Sequence, residues 1–170
     1  MYLGYDQIWN NLGIKCASIG TLGISGIEEK SFEMTTPDPI LLHKYLSELS
    51  AQGVDHVAIE ASSHGLSQNR LDYINITNRA FTNLSRDHLD YHGCFDEYFL
   101  AKAKLFKDVD NTSGISIINI DDYYGRLMKL VAEASGLKVA GVGKLEGSNF
   151  RIAKQSTHGS GQLISVAFEG

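Results

Sequence analysis

Cysteine is scarce in this chain: 170 residues hold only Cys16 and Cys94, too few and too far apart for a disulfide framework or a thiolate metal site. A reducing, cytoplasmic setting is the expectation. No apolar run approaches the ~20 residues that cross a bilayer, and no secretory leader is visible, so no membrane partner is expected. Basic residues are outnumbered, 15 against 20, for a formal charge of −5; this leaves no basic arm or face for nucleic acid. Proline occurs twice, and there are no repeats or low-complexity stretches to mark a linker. A glycine-rich phosphate loop ending in Gly-Lys-Thr or Gly-Lys-Ser is also missing. The nearest run, Gly141-Val142-Gly143-Lys144, continues into Leu145 and reads as a strand and turn. What remains is ordinary globular material, with hydrophobic residues at 43% and charged residues at 21%, enough for one domain with a sizeable core.

The elements alternate. Tyr5 to Leu12 reads as a short helix with Ile8, Trp9 and Leu12 spaced for burial and Gly13 as its stop. Lys15 to Ile19 reads as a strand, and Ile24 to Met34 as an extended segment leading to Thr35 and Thr36. Asp38-Pro39 then starts a helix, as N-cap and first position, with Leu41, Leu42, Tyr45, Leu46 and Leu49 on its apolar face and Gly53 beyond its end. Further strands are expected at Val54 to Ile59, Ala80 to Asn83, Ile115 to Ile120 and Val139 to Val142, with helices at Phe95 to Phe106 and Tyr124 to Ala134. This order predicts an α/β fold with a mostly parallel sheet flanked by helices. Phe150 to Phe168 departs from it: two alternating segments around Thr157-His158-Gly159-Ser160-Gly161 predict a small antiparallel hairpin near the C-terminus.

Three residues do not fit a purely structural reading. At about 100° per residue, Lys102 falls in the middle of the apolar face formed by Phe95, Tyr98, Phe99, Ala101, Leu105 and Phe106. Lys104 and Lys107 fall on the opposite side with Asp96 and Glu97. Burial disfavours the ammonium form, so Lys102 either snorkels to water or has its charge changed. Glu60 ends the strand after Ile59, and His88 follows the strand at Phe81; ligand crevices of open α/β sheets lie outside such carboxyl ends. Two adjacent strands would deliver Glu60 and His88 to one rim, where a carboxylate and an imidazole suit Mg2+ or Mn2+. Alternatively, Glu60 caps the following helix and His88 hydrogen-bonds in a turn.

Three runs of the sequence, EMTTPDP, EASSHGLSQNRL and TNLSRDHLDYHG followed by AK, resemble the tripeptide-forming Mur ligases of peptidoglycan synthesis. They occur in the family's order, within a match from about Gly13 to Gly143. The resemblance implies an ATP-dependent ligase of cell-wall synthesis, and so of cell shape and division. It would join diaminopimelate or lysine to the D-glutamate of UDP-MurNAc-L-Ala-D-Glu. By the same resemblance Lys102 is carbamylated (N6-carboxylysine), and Glu60, His88 and Lys102 hold Mg2+. Lys102 and His88 are then the catalytic positions. Thr35, Thr36, Ser62, Gln68 and Arg70 contact the UDP-MurNAc-dipeptide, a guanidinium being well suited to carboxylate or phosphate oxygens. Asn119, at a strand end, matches an asparagine near the adenine, although an asparagine there also suits a helix cap. In the implied mechanism the D-glutamate side-chain carboxylate attacks the γ-phosphate of ATP, and the incoming amine displaces phosphate from the resulting acyl phosphate.

The lack of a phosphate loop separates this chain from the family's full pattern. Residues 1–170 read as a partial central ATP-binding domain, without the upstream loop and without the C-terminal domain that selects the amino acid. Its partners would include those missing domains, and turnover by the isolated chain is not expected. Two other readings are a folylpolyglutamate synthetase-like ligase, which shares the lysine and metal logic, and a folded remnant without catalysis. The Ser-Ser-His-Gly-Leu and Asp-His-Leu-Asp-Tyr-His runs favour the Mur group. A metal hydrolase built on His88 and His92 has no supporting ligand spacing.

Overall fold

Strands and helices alternate through the computed structural model, which describes residues 5–26, 34–85, 89–107, 109, 111–159 and 161–168. The chain divides into two compact units, Met1–Ile74 and Asn75–Gly170.

The first unit comprises α1 (Tyr5–Asn11), β1 (Cys16–Gly20), β2 (Gly23–Ser25), α2 (Pro39–Ala51), β3 (His56–Ile59) and α3 (Ser63–Ser67). Its sheet has the order β2-β1-β3. β2 returns antiparallel, with Ile19 opposite Ile24. β3 runs parallel to β1, in a register from Cys16 opposite His56 to Ile19 opposite Ile59. That register brings Gly20 and Glu60 to the same end of the sheet, where the Glu60 N–H donates to the Ile19 carbonyl at 2.8 Å. The start of α2 is the one expected, with Pro39 in the first turn and Asp38 Oδ1 accepting from the Leu41 N–H at 3.0 Å. Only Leu42 and Leu49 of its apolar stripe are fully buried. In α1 the expected burial of Ile8 and Leu12 does not occur; they are 60% and 69% exposed. Trp9 turns inward, stacked on Tyr5 and tilted against His56 at the start of β3. Residues 27–33, most of the segment expected to be extended, lie outside the described residues.

The second unit comprises β4 (Arg79–Phe81), α4 (Leu89–His92), α5 (Phe95–Lys107), β5 (Ile115–Asn119), α6 (Tyr123–Ala134), β6 (Lys138–Gly143), β7 (Phe150–His158) and β8 (Gly161–Phe168). The sheet order is β4-β5-β6-β7-β8; neighbours are parallel as far as β7, and β7 and β8 form the expected antiparallel hairpin. Phe81, Phe99, Phe106, Ile118, Met128 and Ala132 form its core between sheet and helices. β4 and β3 belong to different sheets, so the expected adjacency of the strands leading to Glu60 and His88 is not found among the described residues. Pairing is a non-local choice, and consecutive strands need not be neighbours.

Arg79 is a buried cation that the sequence does not flag. It is 6% exposed, and desolvation lowers its pKa. Its Nε donates to the Leu105 carbonyl at 2.8 Å and its Nη1 to the Asn111 carbonyl at 3.2 Å. The first of these caps the last turn of α5, where carbonyls lack helical partners. Arg79→Met should keep the stem packing and lose both bonds, costing about 2–3 kcal/mol in urea unfolding.

Candidate functional site

In the first unit, the polar residues singled out by the sequence gather at the ends of β1 and β3. Glu60 leaves β3 and folds back across the end of β1. Its Oε2 accepts from the Thr21 N–H at 3.1 Å and from the Thr21 hydroxyl at 3.0 Å. Gly20 makes room for this carboxylate, since a Cβ there would stand 2.8 Å from Oε2. Ser62, not Glu60, caps the following helix: its Oγ accepts from the Gly65 N–H at 3.0 Å. The capping alternative for Glu60 is thereby removed.

Thr36 ties the segment before α2 to this rim. It is fully buried. Its hydroxyl donates to the Glu60 carbonyl at 2.8 Å and accepts from the Ser62 N–H at 3.0 Å. Ser62 Oγ lies 2.9 Å from it. A hydroxyl has one proton, and that of Thr36 goes to Glu60, so Ser62 is the donor across this last contact. The Thr36 hydroxyl is thus fully used inside the protein. Gly65 packs on it so closely that an added Cβ would meet Thr36 side-chain atoms at 2.7–2.9 Å. Thr36→Val should strand three polar groups and destabilise the chain by about 3 kcal/mol, measured by urea denaturation.

Arg70 lies beyond α3. Its Nε and Nη2 donate to Gln68 Oε1 at 3.0 and 2.5 Å, and its Nη1 donates to the Thr36 carbonyl at 2.7 Å. These contacts use three of the five guanidinium N–H groups and leave one on each terminal nitrogen for an oxyanion. Thr35 is half-buried, with its Oγ1 3.1 Å from that of Thr21. Thr21 is the residue of this rim that sequence reading missed; a lone threonine in a turn carries no spacing signal.

In the second unit, Lys102 occupies the middle of the helical arc whose flanks are buried: Tyr98, Phe99, Ala101, Ala103 and Phe106. It is half-buried. Its ammonium sits 5.3 Å from the centre of the Tyr98 ring, a cation–π contact. On the opposite face of helix α5, Asp96, Glu97 and Lys107 are exposed as expected, while Lys104 is half-buried. His92 is buried and stacked on Tyr98 at 5.1 Å, an aromatic-core position. Asn119 ends β5, and its Oδ1 accepts from the Asp121 N–H at 3.0 Å. The cap of α6 is Asp122, accepting from the Gly125 N–H at 2.7 Å, so Asn119 does not cap the helix. Gly143-Lys144 is a strand end and turn, as expected, fastened by the Lys144 N–H donating to Asp121 Oδ1 at 2.6 Å. Residues 86–88, and with them the expected ligand His88, lie outside the described residues.

The donor chemistry fits a hard divalent cation. Glu60 offers a carboxylate oxygen not used by Thr21. No group of three or more His, Cys, Asp or Glu side chains among the described residues forms a ready metal cluster. No helix among them is long and apolar enough to cross a membrane.

Parallel strands ending in a polar, hydroxyl-rich rim define an α/β domain of the kind that binds ligands at its strand ends. Comparison with known proteins narrows the class. Residues 5–170 match the Mur ligase middle domain. The chain belongs to that family. A UDP-N-acetylmuramoyl-L-alanyl-D-glutamate–2,6-diaminopimelate ligase of Bradyrhizobium diazoefficiens is 40% identical over 168 residues, covering 96% of this chain and 35% of that protein. The ligase of the same name from Brucella melitensis is 42% identical over 153 residues, covering 89% of this chain and 31% of its own. A solved structure of a ligase with this name superposes with a TM-score of 0.84 at 30% identity, over 95% of this chain and 33% of that one. The chain therefore spans about a third of the length of these relatives.

Proposed function

We propose that this chain is the central part of a cytoplasmic, ATP-dependent ligase that adds 2,6-diaminopimelate to UDP-MurNAc-L-Ala-D-Glu in peptidoglycan synthesis. Family membership and the names of its relatives support the reaction and favour diaminopimelate over lysine. The single observation that carries the site assignment is Glu60 at the end of β3, held by Thr21 and joined through its carbonyl to Thr36.

Each residue then has a defined task. Glu60 supplies a carboxylate oxygen to Mg2+. Lys102 is taken as a carbamate: its neutral Nζ bonds to the carbon of CO2 as one C=O π pair moves onto oxygen, and the nitrogen gives up a proton to water, leaving an N-carboxylate whose two oxygens share the negative charge. His88 is assigned as a further ligand on the resemblance of its motif alone. Bound Mg2+ would neutralise charge between the ATP phosphates and the attacking carboxylate. The two remaining N–H groups of Arg70 pair with an oxyanion of the UDP-MurNAc-dipeptide. Gln68 holds that guanidinium, and Thr35 and Ser62 line the same rim. Thr36 acts from beneath, by fixing Ser62 and the backbone at Glu60. Asn119 keeps its amide NH2 for the adenine while its oxygen secures the turn. Phosphoryl transfer of this kind depends chiefly on positioning and electrostatics, which are the contributions these residues make.

The test is a graft. Residues 5–170 replace the matching segment of the Bradyrhizobium ligase, which supplies the rest of the polypeptide. The chimera should form UDP-MurNAc-tripeptide with diaminopimelate, ATP-dependently, with phosphate released in equal amount. A soluble, folded chimera that binds the substrates and makes no tripeptide would contradict the proposal.

A further inference from the structure

The hydroxyl contacts around Glu60 have a direction. A carboxylate only accepts, so the Thr21 hydroxyl proton points to Glu60 Oε2 across 3.0 Å. Thr21 has no second proton, so across the 3.1 Å contact between the two threonines Thr35 is the donor. The order is therefore Thr35 to Thr21 to Glu60, with the Thr21 backbone N–H as a second donor to the same oxygen. Both donors fall on Oε2. The missing side chain at Gly20 gives that oxygen the space to sit there. The Glu60 main chain is pinned separately, by its N–H on Ile19 and by its carbonyl on Thr36. With one oxygen and the backbone fixed, the direction of Oε1 follows.

We propose that Thr21 is a positioning residue that selects Oε1 of Glu60 as the oxygen facing the cation, and that Thr35 acts one step behind it by orienting the Thr21 hydroxyl. This rests on the reading of Glu60 as a cation ligand. Groups that orient a ligating carboxylate affect metal affinity by about 10–100-fold when removed. Thr21→Val keeps the shape and the backbone N–H and removes one donor, so the loss belongs at the lower end of that range. Thr21→Ser keeps the donor. Thr35→Val removes only the outer link and should have a smaller effect.

Mn2+ titration of the 170-residue chain, followed by electron paramagnetic resonance, tests this, with thermal unfolding run on every variant. The unsubstituted chain should bind Mn2+ in a manner lost in Glu60→Gln. Thr21→Val should bind about tenfold more weakly at an unchanged Tm, and Thr21→Ser should bind within about twofold of the original. Equal affinity in Thr21→Val and the unsubstituted chain overturns the role of Thr21 while leaving Glu60 as a ligand. No Glu60-dependent binding in the unsubstituted chain overturns the reading of Glu60, and the role of Thr21 with it. If Thr21→Val loses its fold, Thr21→Ser decides: tenfold weaker binding by a folded serine variant also contradicts a donor role.

Discussion

Glu60→Ala in the ligase chimera is expected to lower kcat by about 10²–10³-fold, the range seen when one group that stabilises transition-state charge is removed. Glu60 lies at the open end of the β1–β3 pair, and its carboxylate contacts described here are to Thr21 alone. Its removal takes away a charge without emptying a core. Stability should therefore change little, because neither Thr21 nor the Glu60 carbonyl bond to Thr36 depends on the carboxylate for burial. Stopped-flow measurement of phosphate release, paired with urea unfolding, separates the two. Loss of activity at unchanged stability is the signature of a site residue. Parallel loss of both would make Glu60 a structural residue.

A loss of similar size, about 10²–10³-fold in kcat, is expected for Lys102→Ala. The more telling comparison is with Lys102→Arg. Arginine retains a positive charge, can lie over the Tyr98 ring, and keeps a long apolar stem. It cannot form a carbamate, since it stays protonated at any working pH. If Lys102 serves as a cation, the arginine variant should retain most activity. If it serves as a carbamate, arginine should be as poor as alanine, and the unsubstituted chimera should slow in CO2-depleted buffer and recover when bicarbonate is restored. The cation–π contact at 5.3 Å belongs to the ammonium form, so carbamylation must exchange that contact for coordination of a cation.

The parts of this protein that were legible in its sequence are those fixed by neighbours along the chain. Asp38-Pro39 announced α2 because an N-cap and a first-turn proline act within one turn. The arc of Tyr98, Phe99, Ala101 and Phe106 placed Lys102 because helical periodicity is local. Glu60 at a strand end was legible for the same reason. Illegible were features created by distant segments meeting. Thr36 is fully buried because Gly65 and Ser62, far along the chain, close over it. Arg79 is buried because the end of α5 offers carbonyls that only the folded sheet brings within reach. Thr21 matters through a contact 39 positions away. Ile8 and Leu12 show the converse, for their spacing promised burial that the fold of the described residues does not deliver.

Lys102 is where the unusual packing and the proposed chemistry coincide. Carbon-13 NMR of the chain in labelled bicarbonate at neutral pH tests that coincidence most directly. A carbamate carbon resonance that is present in the unsubstituted chain, strengthens with Mg2+ and is missing from Lys102→Arg is the result expected. A spectrum showing only bicarbonate and dissolved CO2, with or without Mg2+, would contradict it.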